Sequence, residues 1–214
     1  MRLRRRPELT PAGAAFAAAS SPPARTPWRS ASWLAVDLEL TRLHPAGEII
    51  AIGAVPIEHG EPVESRALYT LVRPLRPPPP ETVAVHGLTE EDLRDAPAID
   101  EALEALLEAL AGRVPVFHTG RVERHFLGLA LRGRRLRLPA DADTEQLGRR
   151  WLSERGARAP AAIPLTTLAQ MLGVPCGRAH HALGDALTTA RTFVALATLL
   201  ETRGRQTVGT LRAP

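Results

Sequence analysis

The 214-residue chain contains no lysine and no asparagine, a single cysteine and only eight aromatic residues. Every basic side chain is therefore an arginine, and the charge behind the sequence pI of 10.7 cannot titrate away. A lone cysteine, Cys176, excludes an internal disulfide and a cysteine-based zinc site, and it points to a reducing, cytoplasmic compartment. No apolar run approaches the roughly 20 residues that span a bilayer, so no membrane partner is expected. The opening stretch, MRLRRRPELTPAGAAFAAASSPPARTPW, lacks the leucine-rich centre of an export signal and is broken by Pro11 and Gly13. Residues 1–30 thus read as a basic, Pro/Ala-rich extension or a short amphipathic arm, 31–202 as one folded domain and 203–214 as a tail.

What is there is 44% apolar and 23% charged, enough to bury one core, with a net charge of +4. The charge is segregated: +5 over residues 1–30, −10 over 31–110, +6 over 111–158 and +3 over 159–214. An acidic half beside a basic half suits a site that holds cations next to a polyanion.

Residues 33–40, 49–57 and 67–73 are apolar, strand-like runs joined by short turns, the first of them around Pro45 and Gly47, which predicts three antiparallel strands. Pro77 to Pro80 reads as a stiff extended loop. Thr89 is the N-cap of a short helix. Ile99 to Ala111 carries Ile99, Leu103, Leu106, Leu107 and Leu110 on one stripe and stops at Gly112. A strand at 114–117 and helices near 122–132, 144–155, 165–172 and 182–202 follow. The pattern predicts an α/β domain, a mixed sheet flanked by helices.

Two carboxylates, Asp37 and Glu39, are separated by one residue in the most apolar strand, and period-two geometry turns both to one face. A solvated strand face accounts for many such pairs, but within a central strand two adjacent acids repel and are costly to bury unless a cation neutralises them. Near the other end, in HHALGDALTTA, Asp185 falls in the first turns of a helix, where a carboxylate complements the helix dipole. His180, five residues earlier, reaches the same place only if it precedes the helix.

The stretches VDLELTRLHP, EIIAIGAV, VHGLTEEDLRDAP, VPVFHTGRVERHFL, DADTEQLGRRWL and HHALGDALTTARTF, in this order, resemble the DEDDh (DnaQ-like) 3′-to-5′ exonucleases, the group of the polymerase III epsilon subunit. The resemblance covers about residues 33–200 and implies a ribonuclease-H-like fold, a central mixed sheet and two Mg²⁺ or Mn²⁺ ions. It matches Asp37, Glu39, Glu123 and Asp185 to the metal-binding acids and His180 to the general base, an imidazole with a reference pKa near 6.5. Glu123 replaces the family's aspartate and Thr119 its asparagine, and the glutamate carries its carboxylate a little over 1 Å further out. The resemblance also places Leu40, Thr41, His86, Leu88 and Thr119 around the substrate's terminal nucleotide. Arg121, Arg124, Arg132, Arg134 and Arg135 are expected along the phosphate backbone. His118 is expected to be structural, and Asp143 a helix N-cap. The implied reaction releases nucleoside 5′-monophosphates from nucleic-acid 3′ ends, single-stranded DNA favoured and RNA an alternative, with a DNA polymerase as a candidate partner. A third reading is a nucleic-acid-binding or polymerase accessory subunit with weakened catalysis.

Overall fold

A computed structural model describes residues 9–43 and 46–212; Pro45 of the expected first turn and the first eight residues of the basic extension lie outside them. Helix α1 (Pro11–Ala18) starts on a proline, with the Thr10 hydroxyl accepting the Gly13 N–H at 3.1 Å. Strands β1 (Trp33–Leu40), β2 (Ile49–Glu58), β3 (Glu61–Pro62) and β4 (Leu68–Leu71) follow. Helices α2 (Pro80–His86), α3 (Glu90–Arg94) and α4 (Ile99–Leu110) lead to β5 (Val114–Phe117). The remainder is α5 (Arg121–Gly133), β6 (Ala142–Asp143), α6 (Thr144–Glu154), α7 (Leu165–Met171), α8 (Ala182–Glu201) and α9 (Val208–Leu211).

The strands form one mixed sheet in the order β3-β2-β1-β5-β6, with β4 also pairing β2. The β1, β2 and β4 pairings are antiparallel, as the three-strand expectation required, whereas β5 runs parallel to β1 and β6 parallel to β5. The proline run differs from expectation. Pro80 occupies the first turn of α2, where a missing N–H and a fixed φ are harmless, so the stiff loop ends in a helix.

Alternation along β1 divides the core. Trp33 and Ala35 pack with Val55, Ile57 and the α8 residues Ala186, Ala190 and Phe193. Leu34, Val36, Leu38 and Leu40 pack on the other side, with Ile52 and Ala54 of β2, Leu103 and Leu106 of α4 and Phe126 of α5. Asp37 and Glu39 continue the face that Trp33 and Ala35 begin, so they point towards α8.

At 20 residues α8 is itself long and apolar enough to cross a bilayer, contrary to the expectation that no run reaches that length. Its stripe, Phe193, Leu196, Ala197 and Leu200, is instead fully buried in the fold. The two segments read as accessory meet each other. Pro27 bridges Thr207, the Val208 N–H donates to the Thr26 carbonyl at 2.9 Å, and Trp28, Val208 and Leu211 are buried. Apolar side chains too few to show a periodicity thus draw both ends of the domain into the core.

Candidate active site

The register of β1 on β2 sets the site. Asp37 faces Gly53 across the antiparallel pair, and on the far side Gly53 faces Tyr69 of β4. A Cβ on Gly53 would lie 2.2 Å from the carbonyl carbon and oxygen of Ala182. Only glycine lets the start of α8 press this closely on the sheet. That contact brings Asp185, in the first turn of α8, to the two strand acids. Oxygens of Asp37, Glu39 and Asp185 all lie within 4.8 Å of one another, the one such acid group among the described residues.

Three carboxylates this close raise one another's affinity for protons. Burial, then the charges of Glu123, Asp185 and Glu39, push Asp37 well above the usual carboxylate range. Burial, and after it Asp185, lifts Glu39 to about 7, and burial also raises Asp185. A donor set made only of carboxylate oxygens fits hard cations such as Mg²⁺ or Mn²⁺. Charge of that kind is what the crowded acids call for.

Glu123 stands in the first turn of α5, 7% exposed, and one of its carboxylate oxygens is buried without a hydrogen-bond partner. Burial lifts it to about 7. It is the largest charge influence on Asp37, but it is not within the close triad. A buried carboxylate oxygen with no partner is costly and is the feature a cation or its water would satisfy.

His180 lies in the exposed turn just before α8, as its match required, with φ at +54°. Its backbone N–H donates to the Asp185 carboxylate at 2.8 Å. His181 is the N-cap, its ring nitrogen accepting the Gly184 N–H at 3.4 Å, and its ring is stacked on Tyr69.

The remaining sequence candidates are placed less uniformly. Leu40 is 6% exposed and belongs to the core beneath the sheet, away from the acids' face. Thr41 is buried, and its hydroxyl accepts the Glu48 N–H at 3.0 Å, closing the β1–β2 turn. His86 is the buried last residue of α2; its Nδ1 accepts the Leu88 N–H at 3.0 Å and its Nε2 has no partner. Leu88 follows half-buried after Gly87, whose left-handed φ of +78° ends the helix. Thr119, at φ +54°, donates its N–H to Asp143 at 3.3 Å and its hydroxyl to Glu145 at 3.0 Å. Asp143 also accepts the N–H of Gly120, besides capping α6, so it ties the loop before Glu123 to the next helix. Both ring nitrogens of His118 are engaged, with Thr144 and the Ile163 carbonyl, each at 2.8 Å.

The arginines expected along the backbone divide. Arg124 is paired with Asp141 and Asp143, and Arg134 with Asp100 and Glu104, so neither presents an unpaired charge. Arg121, Arg132 and Arg135 are exposed. Sequence reasoning missed Gly53 and Tyr69. An isolated glycine inside the apolar run IIAIGAVPI was the available signal for the first. Tyr69 carries no such signal, because its place follows only from the pairing with Gly53.

Residues 34–193 match the RNase_T exonuclease family. The chain is 35% identical over 190 residues to a DNA polymerase III subunit epsilon-like protein of Rhodobacter capsulatus, covering 87% of this chain and 26% of that one. It is 30% identical over 181 residues to a PolC-type DNA polymerase III of Thermotoga petrophila, covering 83% and 13%. The chain therefore spans about a quarter or less of the length of these relatives. Among solved structures, the nuclease domain of 3′hExo, a DEDDh family member, is similar with a TM-score of 0.65 and 18% identity over 85% of this chain and 98% of that one. Exonuclease X with 5′-overhanging duplex DNA is similar at 0.63 and 23% identity, over 84% and 97%. These likenesses show the same ribonuclease-H-like fold. With a family match that spans residues 34–193 and three acids gathered in that fold, the chain belongs to the RNase_T exonuclease family.

Proposed function

We propose that this protein is a cytoplasmic 3′-to-5′ exonuclease that removes nucleoside 5′-monophosphates from the 3′ ends of DNA, single strands favoured, with two divalent cations. The observation that supports it best is the triad Asp37, Glu39 and Asp185 within 4.8 Å, each acid held above its ordinary pKa. Asp37, Glu39 and Asp185 would hold the cations, with Glu123 contributing through its unpartnered oxygen. When bound, Mg²⁺ or Mn²⁺ supplies a lowered pKa for the attacking water and charge stabilisation at phosphorus.

The chain's own residues do the rest. His180, outside the helix and beside Asp185, takes the proton of the attacking water as that oxygen bonds to phosphorus. The bond from phosphorus to the 3′-oxygen of the preceding nucleotide breaks, and that oxygen is protonated from solvent. The family resemblance assigns the His86–Leu88 turn and Thr41 to the terminal nucleotide, whereas Leu40, buried in the core on the opposite face, is left out of that contact. Thr119 and Asp143 fix the backbone that carries Glu123. The catalytic unit extends beyond 31–202 into both flanking segments, since Trp28 and Val208 complete its core.

The experiment is a nuclease assay on 3′ ends of single-stranded DNA, mismatched duplex and short RNA, with Mg²⁺ or Mn²⁺ and with chelator. The expected result is mononucleotide release, fastest on single-stranded DNA, lost with chelator and in Asp37→Ala and His180→Ala. Faster release from RNA overturns the DNA assignment. Binding without turnover under every metal condition overturns the enzyme assignment. Pull-down with a polymerase tests the remaining partner.

A further inference from the structure

The turn that carries His180 is tied to α8 by its backbone, the His180 N–H donating to the Asp185 carboxylate at 2.8 Å, and it is strained. His180 is exposed and sits at φ +54°, a left-handed conformation that a side-chain-bearing residue adopts at a cost. Its neighbour His181 caps α8 only through a long, 3.4 Å bond from the Gly184 N–H. From the sheet side, a ring packs on this turn. Tyr69 and His181 are stacked with centroids 4.6 Å apart and planes 21° from parallel.

That ring comes from the right place. Through Gly53, Tyr69 stands in the same cross-strand row as Asp37, on the face turned towards α8. β4 is anchored by four register pairs to β2, so the ring is presented by sheet and not by loop. Burial, and after it the charge of Glu39, raises the pKa of the Tyr69 hydroxyl. The tyrosine is 37% exposed, and the stack on His181 is its ring contact among the described residues.

We propose that Tyr69 is a positioning residue, its ring stacked on His181 holding the His180–His181 turn so that His180 stays beside Asp185. The role rests on the nuclease reading above only for its catalytic consequence; the mechanical part stands by itself.

The test uses the full chain and four variants: Tyr69→Ala, Tyr69→Phe, His181→Ala and the Tyr69→Ala/His181→Ala double. Two readouts are taken: amide exchange at His180, followed by NMR without metal or substrate, and steady-state kinetics on a single-stranded DNA oligonucleotide with Mn²⁺. An offset aromatic stack corresponds to roughly a two- to tenfold effect. Tyr69→Ala is expected to speed His180 exchange and to lower kcat by about five- to tenfold, with KM within about twofold. Tyr69→Phe keeps the ring face and stays within about twofold of wild type in both. The double variant shows no loss beyond His181→Ala, because that change already breaks the stack along with the α8 cap. Unchanged His180 exchange in Tyr69→Ala overturns the proposal. So does a rise in KM with kcat intact, which assigns the ring to substrate contact, and so do multiplicative losses in the double variant. If Tyr69→Ala does not fold, Tyr69→Leu, which fills the strand position without a flat ring, replaces it with the same expectations. A wild-type protein inactive on every substrate sinks the nuclease reading, and His180 exchange then still decides the positioning role.

Discussion

Gly53 faces Asp37 across the β1–β2 pair, and the side chain it lacks is the space in which Ala182 brings α8 onto the sheet. Gly53→Ala is therefore expected to act on the acid cluster without touching an acid. A Cβ 2.2 Å from backbone atoms must displace the helix, and overpacking of this kind costs about 1–3 kcal/mol. For a chain this size that lowers Tm by roughly 2–10 °C. Asp185 moves with the helix, and a misplacement of about 1 Å costs on the order of 100-fold in rate. Calorimetry and the nuclease assay on the same preparation check both. A Gly53→Ala protein with wild-type activity means that the close approach of α8 does not set the site.

Asp37 is the most crowded acid, so its charge is expected to work against the fold when no cation is present. Asp37→Asn removes a charge opposed by burial and by Glu123, Asp185 and Glu39. The metal-free variant should melt a few degrees above wild type at pH 8, a gain of about 1 kcal/mol or more. Millimolar Mg²⁺ should raise the Tm of wild type and leave that of the variant nearly unchanged, because ligand binding stabilises only the state that binds. Equal metal-induced shifts would place the cations elsewhere.

How far the site was legible in the sequence follows from which contacts are local. The alternation of WLAVDLEL is enough to put Asp37 and Glu39 on one face, because a strand's period is fixed by its backbone. The same alternation puts Leu40 on the opposite face, in the core, and the family match for Leu40 obscured that reading. Asp185 and His180 were legible as a helix start and the turn before it. Gly53 and Tyr69 were not, because their meaning lies in strand pairing between residues some 16 apart and in a helix that arrives more than 120 residues later. The four residues of α9 are too few for any periodicity to show, and only packing against Trp28 and its neighbours gives Val208 and Leu211 a place.

Glu123 gives the fold a pH dependence of predictable sign. Its pKa rises from an ordinary 4.5 to about 7 on folding. A group whose folded pKa is raised contributes stability that is complete below the unfolded value and lost as pH climbs through the folded one. Metal-free wild type should therefore lose stability relative to Glu123→Gln between pH about 4.5 and about 7, by at most roughly 3 kcal/mol. Taking the difference between the two proteins cancels the opposite contribution of His118, whose pKa burial lowers. Paired thermal melts across this range measure it, and parallel curves would show that folding does not raise the Glu123 pKa. Glu123→Asp, restoring the shorter family side chain, is expected to match or exceed wild-type activity; a strong loss would mean that the site is built around the extra methylene.

Thr119 pays for a conformation its side chain resists. At φ +54° it is β-branched in the left-handed region, where asparagine is several-fold enriched and β-branched residues are outliers. The position is held there by the loop's anchors, the Thr119 and Gly120 N–H groups on Asp143. Thr119→Asn keeps those anchors, relieves backbone strain of order 1–3 kcal/mol and gives up one hydroxyl bond to Glu145, of about 1 kcal/mol. A net gain of about 1 kcal/mol, or 2–4 °C in Tm, is expected. Asp143→Ala should do the reverse, releasing both N–H groups and the α6 cap together, and it should lower nuclease activity along with Tm because the same loop carries Glu123. If Thr119→Asn melts below wild type, the Thr119–Glu145 bond outweighs the strain, and the threonine stabilises the loop through its hydroxyl.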